Sequence, residues 1–215
     1  MRMTSDSTGN SIDWNVALRP LFKKYKGKSH PLKSANDYQT IVMIVLSARA
    51  SDAMVNNLSP ALFKKYPSFR SLQRASPQDL YPYVKVPGFR KKSEWIIDIA
   101  KEIVKLGSIP ETMSGLTALK GIGRKSANVY MSRKNLDAQG VIVDVHTLRV
   151  APRIGIVTGS NSVAVEKELM ERVNKKNWHL LGLSLTYLGR ETCRPQNPRC
   201  GECVLTAVCS YYVNL

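Results

Sequence analysis

At 215 residues the chain is long enough to bury a full core and to form one or two compact domains. Its 32 Lys and Arg stand against 16 Asp and Glu, a net charge of +16 spread along the whole sequence; this favours a polyanionic partner, most often nucleic acid, although ribosome-associated and membrane-surface proteins are also basic. The longest apolar run, Ile41 to Leu46, is far too short to span a bilayer, and the opening Met1-Arg2-Met3-Thr4-Ser5-Asp6 has no apolar core of the secretory kind, so no membrane association is expected and a cytoplasmic protein is.

In chain order, the first eleven residues are polar and are expected to fray. Residues 37–49 carry apolar side chains on most of their surface and read as a buried central helix. Ser76-Pro77-Gln78-Asp79 is a helix start, with Ser as the cap, Pro at the first helical position and Asp at the third. Residues 94–106 place Trp95, Ile96, Ile99, Ile103 and Leu106 at helical spacing and stop at Gly107. Further on, 163–173 and 178–188 read as two more helices, and Gly140 to Val143 is the best β run of a chain with weak strand signals. With no repeat and no long linker, the expectation is an all-α fold of about ten helices.

Between 116 and 127 lies a motif with chemistry in it: Leu116, Leu119 and Ile122 flank Gly121-Ile122-Gly123, and Arg124-Lys125 follow. One short helix ends near Lys120, the glycines turn the chain, and a second helix begins near Arg124. Glycines allow positive φ and leave backbone N–H groups uncovered, so the turn and the following helix N-terminus can hold a phosphate without reading a base. This is a helix-hairpin-helix element, although Gly-x-Gly by itself also serves as a plain helix–helix turn. Lys125 reads in two ways, as one more phosphate-binding lysine or as an amine nucleophile. A helix N-terminus among other cations disfavours further positive charge, and attack at C1′ of a sugar requires a neutral amine. Asp144, in Val143-Asp144-Val145-His146, sits where an apolar stretch meets a helix start. Its plain reading is an N-cap; its chemical reading is a carboxylate that stabilises cationic charge developing on a sugar and assists proton transfer.

All four cysteines fall near the end, Cys193, Cys200, Cys203 and Cys209, in the pattern C-x6-C-x2-C-x5-C. Two disulfides suit a small secreted domain with a signal peptide, and the opening residues do not read as one. Structural zinc commonly uses two C-x2-C knuckles, and only Cys200 and Cys203 make one here. A 4Fe-4S cluster ligated by four thiolates suits the gaps best.

Together these segments resemble the endonuclease III family of DNA glycosylases in the helix-hairpin-helix superfamily. The likeness runs from about residue 13 to 213 and rests on Leu119-Lys-Gly-Ile-Gly-Arg-Lys-Ser-Ala-Asn128, Val143-Asp-Val-His146 with Arg149-Val150, Leu46-Ser-Ala-Arg-Ala-Ser-Asp52, and Gly189-Arg-Glu-Thr-Cys193 with the later cysteines. The resemblance implies two α-helical domains. A six-helix domain spans 28–137, with the hairpin motif near 113–133; residues 1–27 join 138–215 in a second domain that carries the cluster. It implies double-stranded DNA with damaged bases or abasic sites as the partner, bound between the domains by a monomeric enzyme of prokaryotic, nucleoid-associated type. Lys125 falls on the family's Schiff-base lysine and Asp144 on its catalytic aspartate, which implies a bifunctional glycosylase and AP lyase of base excision repair. DNA contacts are expected from Gly121, Gly123, Arg124, Arg49, Phe89, Arg194 and Arg199.

The sequence departs from the family pattern at four places. Arg49 stands for a common Gln, Phe89 for an intercalating Leu, Lys91 for a common Asn and Leu188 for a common His. These departures bear on the usual substrates, oxidised pyrimidines, and open the alternative of a mismatched or modified pyrimidine. A non-catalytic DNA-binding module is the remaining rival; it has no need of Lys125 and Asp144 as a pair.

Overall fold

The structure, a computed structural model, describes residues 12–214; the expected fraying of the first eleven residues lies outside the described residues. The described residues contain thirteen α-helical segments and three 3-10 turns, joined by turns and loops, with no strand among them. Several helices are single turns, which is why the count exceeds the ten expected. The chain divides into two compact units: residues up to Ser29 with those from Ala138 onward, and His30–Asp137.

The first unit begins with α1 (Trp14–Ala17), capped by the Asp13 carboxylate, which accepts from the Asn15 N–H at 2.9 Å, and α2 (Arg19–Tyr25), with Pro20 in its first turn. Trp14, Leu18, Leu21 and Tyr25 all point into that unit's core.

The second unit is built around α3 (Asp37–Leu46), which is capped by Asn36 and buried along nearly its whole length, with α4 (Asp52–Lys65) following. The helix stops three residues before the predicted end, because Arg49 takes a left-handed φ of +55°. Two single turns come next, α5 (Phe69–Leu72) and α6 (Pro77–Leu80). The predicted capping box at α6 is present: Ser76 Oγ accepts from the Asp79 N–H at 3.3 Å and Asp79 Oδ2 accepts from the Ser76 N–H at 2.8 Å. Pro82 has no N–H with which to extend it. The long α7 (Phe89–Leu106) starts at Gly88 and ends at Gly107, both left-handed, so it opens five residues before the predicted start. Its first turn carries Arg90 and Lys91, which hide the apolar stripe in sequence. The hairpin pair α8 (Met113–Ala118) and α9 (Arg124–Arg133) completes the unit, and α7 and α9 both pack on α3. Seven helical segments therefore fill this unit rather than six.

The first unit resumes with α10 (Val145–Ile154), α11 (Ser162–Arg172), α12 (Trp178–Glu191) and α13 (Ser210–Val213). Helix α12 packs on α10 and α2 around Leu18, Leu21, Val150, Ile154, Leu181 and Leu185. Each of these is essentially fully buried, worth about 1.5–3 kcal/mol of transfer free energy before chain entropy is counted. Tyr25 donates to Glu191 at 3.0 Å and stacks on Tyr187; burial, with Glu191 behind it, holds its phenol well above the ordinary tyrosine range.

The expected β run is a correction. Residues 141–143 are buried but pair with no strand. They lie against α12 at Gly182, where an added Cβ would fall 2.7 Å from the Ile142 nitrogen. A helix with a missing side chain takes the place of a neighbouring strand.

Candidate active site and cysteine centre

The hairpin is held from beneath by Leu116, Leu119 and Ile122, all buried, and closed by the Leu119 N–H to Leu116 O and Ile122 N–H to Leu119 O bonds. Its two glycines serve different ends. Gly121 has φ +78°, and an added Cβ would fall 2.6 Å from Trp95 Cε3, so both backbone and packing exclude a side chain. Gly123 does not use the positive φ open to glycine; it is extended (φ −94°, ψ 177°) and caps α9 with no side-chain oxygen. A Cβ there would meet nothing within 4 Å. Nothing within the fold demands glycine at 123, whereas an anion approaching the first turn of α9 would. Arg124 is exposed and Lys125 half-buried in that turn. Lys120 ties the hairpin to α7 through Asp98 at 2.7 Å.

Asp144 is the N-cap of α10: its Oδ1 accepts from the N–H groups of His146 and Thr147, each at 2.9 Å. The cap fixes the half-buried carboxylate and leaves Oδ2 outside it. Val145 beside it is 72% exposed.

Helix α10 also holds the cysteine segment. The Arg149 guanidinium donates to Cys193 O at 3.2 Å and Gly189 O at 2.9 Å, and Arg153 donates to Arg194 O at 2.7 Å and Pro195 O at 3.1 Å. The four cysteines line one cavity with Ile154, Leu188 and Thr206. Leu188, the departure from the family's His, is thus an apolar wall of this cavity. Burial pushes the Cys203 thiol up, and the neighbouring cysteines push the same way; burial also raises Cys200. A positively charged centre among them would reverse that tendency. Among the described residues, no three His, Cys, Asp or Glu groups converge as ligands of a single ion. Four thiol donors around one apolar cavity are a ligand set for a metal centre.

Arg194 and Arg199 are exposed on the intervening loop, whose turn passes through Asn197 at φ +47°. Both their N–H groups donate to Thr192 O, at 3.0 Å, and Arg199 lies 3.7 Å from Glu202. In the other unit, Arg49 is exposed at its left-handed turn, and Phe89 is half-buried at the start of α7, edge-on to Tyr81 at 5.0 Å. Lys91 is exposed beside Glu94. Sequence reasoning missed Trp95 behind Gly121, the carbonyl contacts of Arg149 and Arg153, and a buried lysine, Lys92. The last had a signal: it shares the apolar stripe of Ile96, Ile99 and Ile103.

A family model for the HhH-GPD superfamily of base excision DNA repair proteins matches residues 42–175. Endonuclease III of Synechocystis sp. is 32% identical over 192 residues, 88% of each chain. The chain belongs to the endonuclease III family. Endonuclease III of Bacillus subtilis is 35% identical over 83% of each chain. A solved endonuclease III, trapped as a covalent intermediate with DNA, superposes with a TM-score of 0.85 over 93% of this chain and 95% of that one, at 27% identity. Family membership makes the chain an all-helical DNA glycosylase and AP lyase of base excision repair. Among the described residues, no helix is long and apolar enough to cross a membrane.

Proposed function

We propose that this endonuclease III family enzyme removes damaged, chiefly oxidised, pyrimidines from double-stranded DNA and cleaves the strand, with Lys125 as nucleophile and Asp144 as its carboxylate partner. The observation that carries the reading is the place of Lys125, half-buried in the first turn of α9 directly behind the bare Gly123 cap. A damaged nucleotide must leave the stack before its C1′ can be attacked. Gly121, Gly123 and Arg124 hold the backbone, and the Lys125 amine adds to C1′ as the base departs. Asp144 supports the cationic sugar and the proton transfers. The resulting Schiff base undergoes β-elimination, cutting 3′ to the lesion. A related endonuclease III was captured as a covalent DNA intermediate, which supports a nucleophilic route.

Arg49 and Phe89 enter the duplex. Arg49 lies beside the unpaired opposite base and favours guanine through its five-donor fork; Phe89 wedges against neighbouring bases. Cys193, Cys200, Cys203 and Cys209 hold a 4Fe-4S cluster, which when bound gives the Arg194–Arg199 loop a fixed base for phosphate contact. The enzyme acts as a cytoplasmic, nucleoid-associated monomer.

Borohydride trapping on a panel of lesion duplexes tests this. Lys125→Gln abolishes covalent trapping while keeping duplex binding, and Asp144→Asn slows base release at least about a hundredfold, through loss of charge at constant shape. Wild-type trapping by Lys125→Gln would assign the chemistry to another amine.

A further inference from the structure

We propose that Lys92 is a positioning residue that locks the loop carrying Arg49 to the helix carrying Phe89, so that the two DNA-inserting side chains move as one rigid element. The proposal rests on the reading that Arg49 and Phe89 enter the duplex.

Lysine is rarely fully buried, yet Lys92 is only 4% exposed. Its ammonium donates to Leu46 O at 2.9 Å and Ala48 O at 2.5 Å. Both acceptors lie where α3 ends, among carbonyls that have no partner within the helix and at the negative end of its dipole. No carboxylate pairs with Lys92 among the described residues, and burial lowers the affinity of its amine for the proton. An apolar side chain would fill the same space without taking a charge out of water. The ammonium offers what Leu or Met would lack: two directed bonds, one to the last residue of α3 and one inside the turn beyond it.

Arg49 follows Ala48 directly. It holds φ +55°, a conformation that a side chain with a Cβ rarely adopts unless its surroundings impose it. The Ala50 N–H to Ser47 O bond at 3.1 Å closes the turn, and the Lys92 bond to Ala48 fastens it to α7. At the other end, Phe89 opens α7 one turn before Lys92, its ring braced by Tyr81 on one side and by the Arg90 guanidinium 5.7 Å from its centre. One buried amine therefore joins the bases of both inserting residues, and its removal leaves each on its own element.

The test uses Lys92→Met, which keeps length and apolar volume and removes both bonds, with Lys92→Gln as the second variant should the first fold poorly. Hydrogen exchange of the 46–50 amides reads the lock itself. Single-turnover base release from a thymine glycol duplex, with each of the four bases opposite, reads its use. Exchange at 46–50 is expected to rise about tenfold or more, with α9 unchanged, as two bonds to a charged donor are lost. The preference among opposite bases is expected to fall to that of Arg49→Gln, with the double variant no lower. A uniform loss of rate at unchanged preference would be the mark of general destabilisation and would overturn the proposal. So would unchanged exchange at 46–50. If exchange rises but Arg49→Gln itself leaves the preference intact, the insertion of Arg49 is refuted, and the function of the lock with it.

Discussion

Gly121 and Gly123 lie two residues apart in one hairpin, and alanine at each should fail for opposite reasons. Gly121→Ala places an L-residue at φ +78°, costing about 1–2 kcal/mol. Its Cβ would also lie 2.6 Å from Trp95 Cε3 and 2.8 Å from Cδ2, and displacing a packed indole costs about 1–3 kcal/mol more. A loss of about 2–5 kcal/mol in a chain of this size lowers Tm by roughly 4–20 °C. Gly123→Ala meets an extended backbone and open space. The entropy it removes from the unfolded chain stabilises by about 0.4–1 kcal/mol, and exchanging Gly for Ala at an N-cap costs about as much, so Tm should stay within roughly 3 °C. The new methyl occupies the open space at the α9 cap, where the proposed phosphate would have to come close. Losing one hydrogen bond to a charged phosphate, about 1.5–3 kcal/mol, weakens binding roughly 10- to 100-fold. Thermal melts and fluorescence anisotropy with a duplex carrying a reduced abasic site, at one fixed salt concentration, separate the two effects. A Tm loss in Gly123→Ala equal to that of Gly121→Ala would show that position 123 has a structural duty. Wild-type DNA affinity in Gly123→Ala would remove the phosphate from the α9 terminus.

Two further outcomes follow from the cysteine centre and the charge. Cys203→Ser should lose iron and DNA affinity together, from about four irons per chain as purified anaerobically, measured by metal analysis; stoichiometric zinc in a fully active, colourless wild type would refute the cluster. DNA affinity should fall steeply with salt, with a log–log slope of roughly −4 to −5 for about five neutralised phosphates, and a slope near zero would assign the charge to another partner.

What the sequence made legible was local. The capping box at Ser76 and Asp79, the stop at Gly107 and the cap at Asp144 each depend on residues within one turn of themselves, and each stands as read. The run 141–143 was misread because an apolar extended segment looks the same whether its neighbour is a strand or a helix; the neighbour, Gly182, is set by tertiary packing. The two hairpin glycines looked alike because the indole that separates them comes from α7. Lys92 went unremarked because its acceptors are 44 and 46 positions away.

The same difficulty extends to the charge that first pointed to nucleic acid. A net +16 counts every cation alike. Arg133 donates to Leu32 O at 2.8 Å and Ser34 Oγ at 2.7 Å, Lys134 pairs with Asp37 at 2.8 Å, Arg149 and Arg153 hold the cysteine segment, and Lys92 holds the end of α3. These five cations already have work inside the fold, and moving any of them onto a phosphate would break the contacts just named. The salt slope expected above counts about five phosphates, and these five cations are not expected among the groups that neutralise them: their place is inside the fold, where net charge counts them but DNA does not meet them.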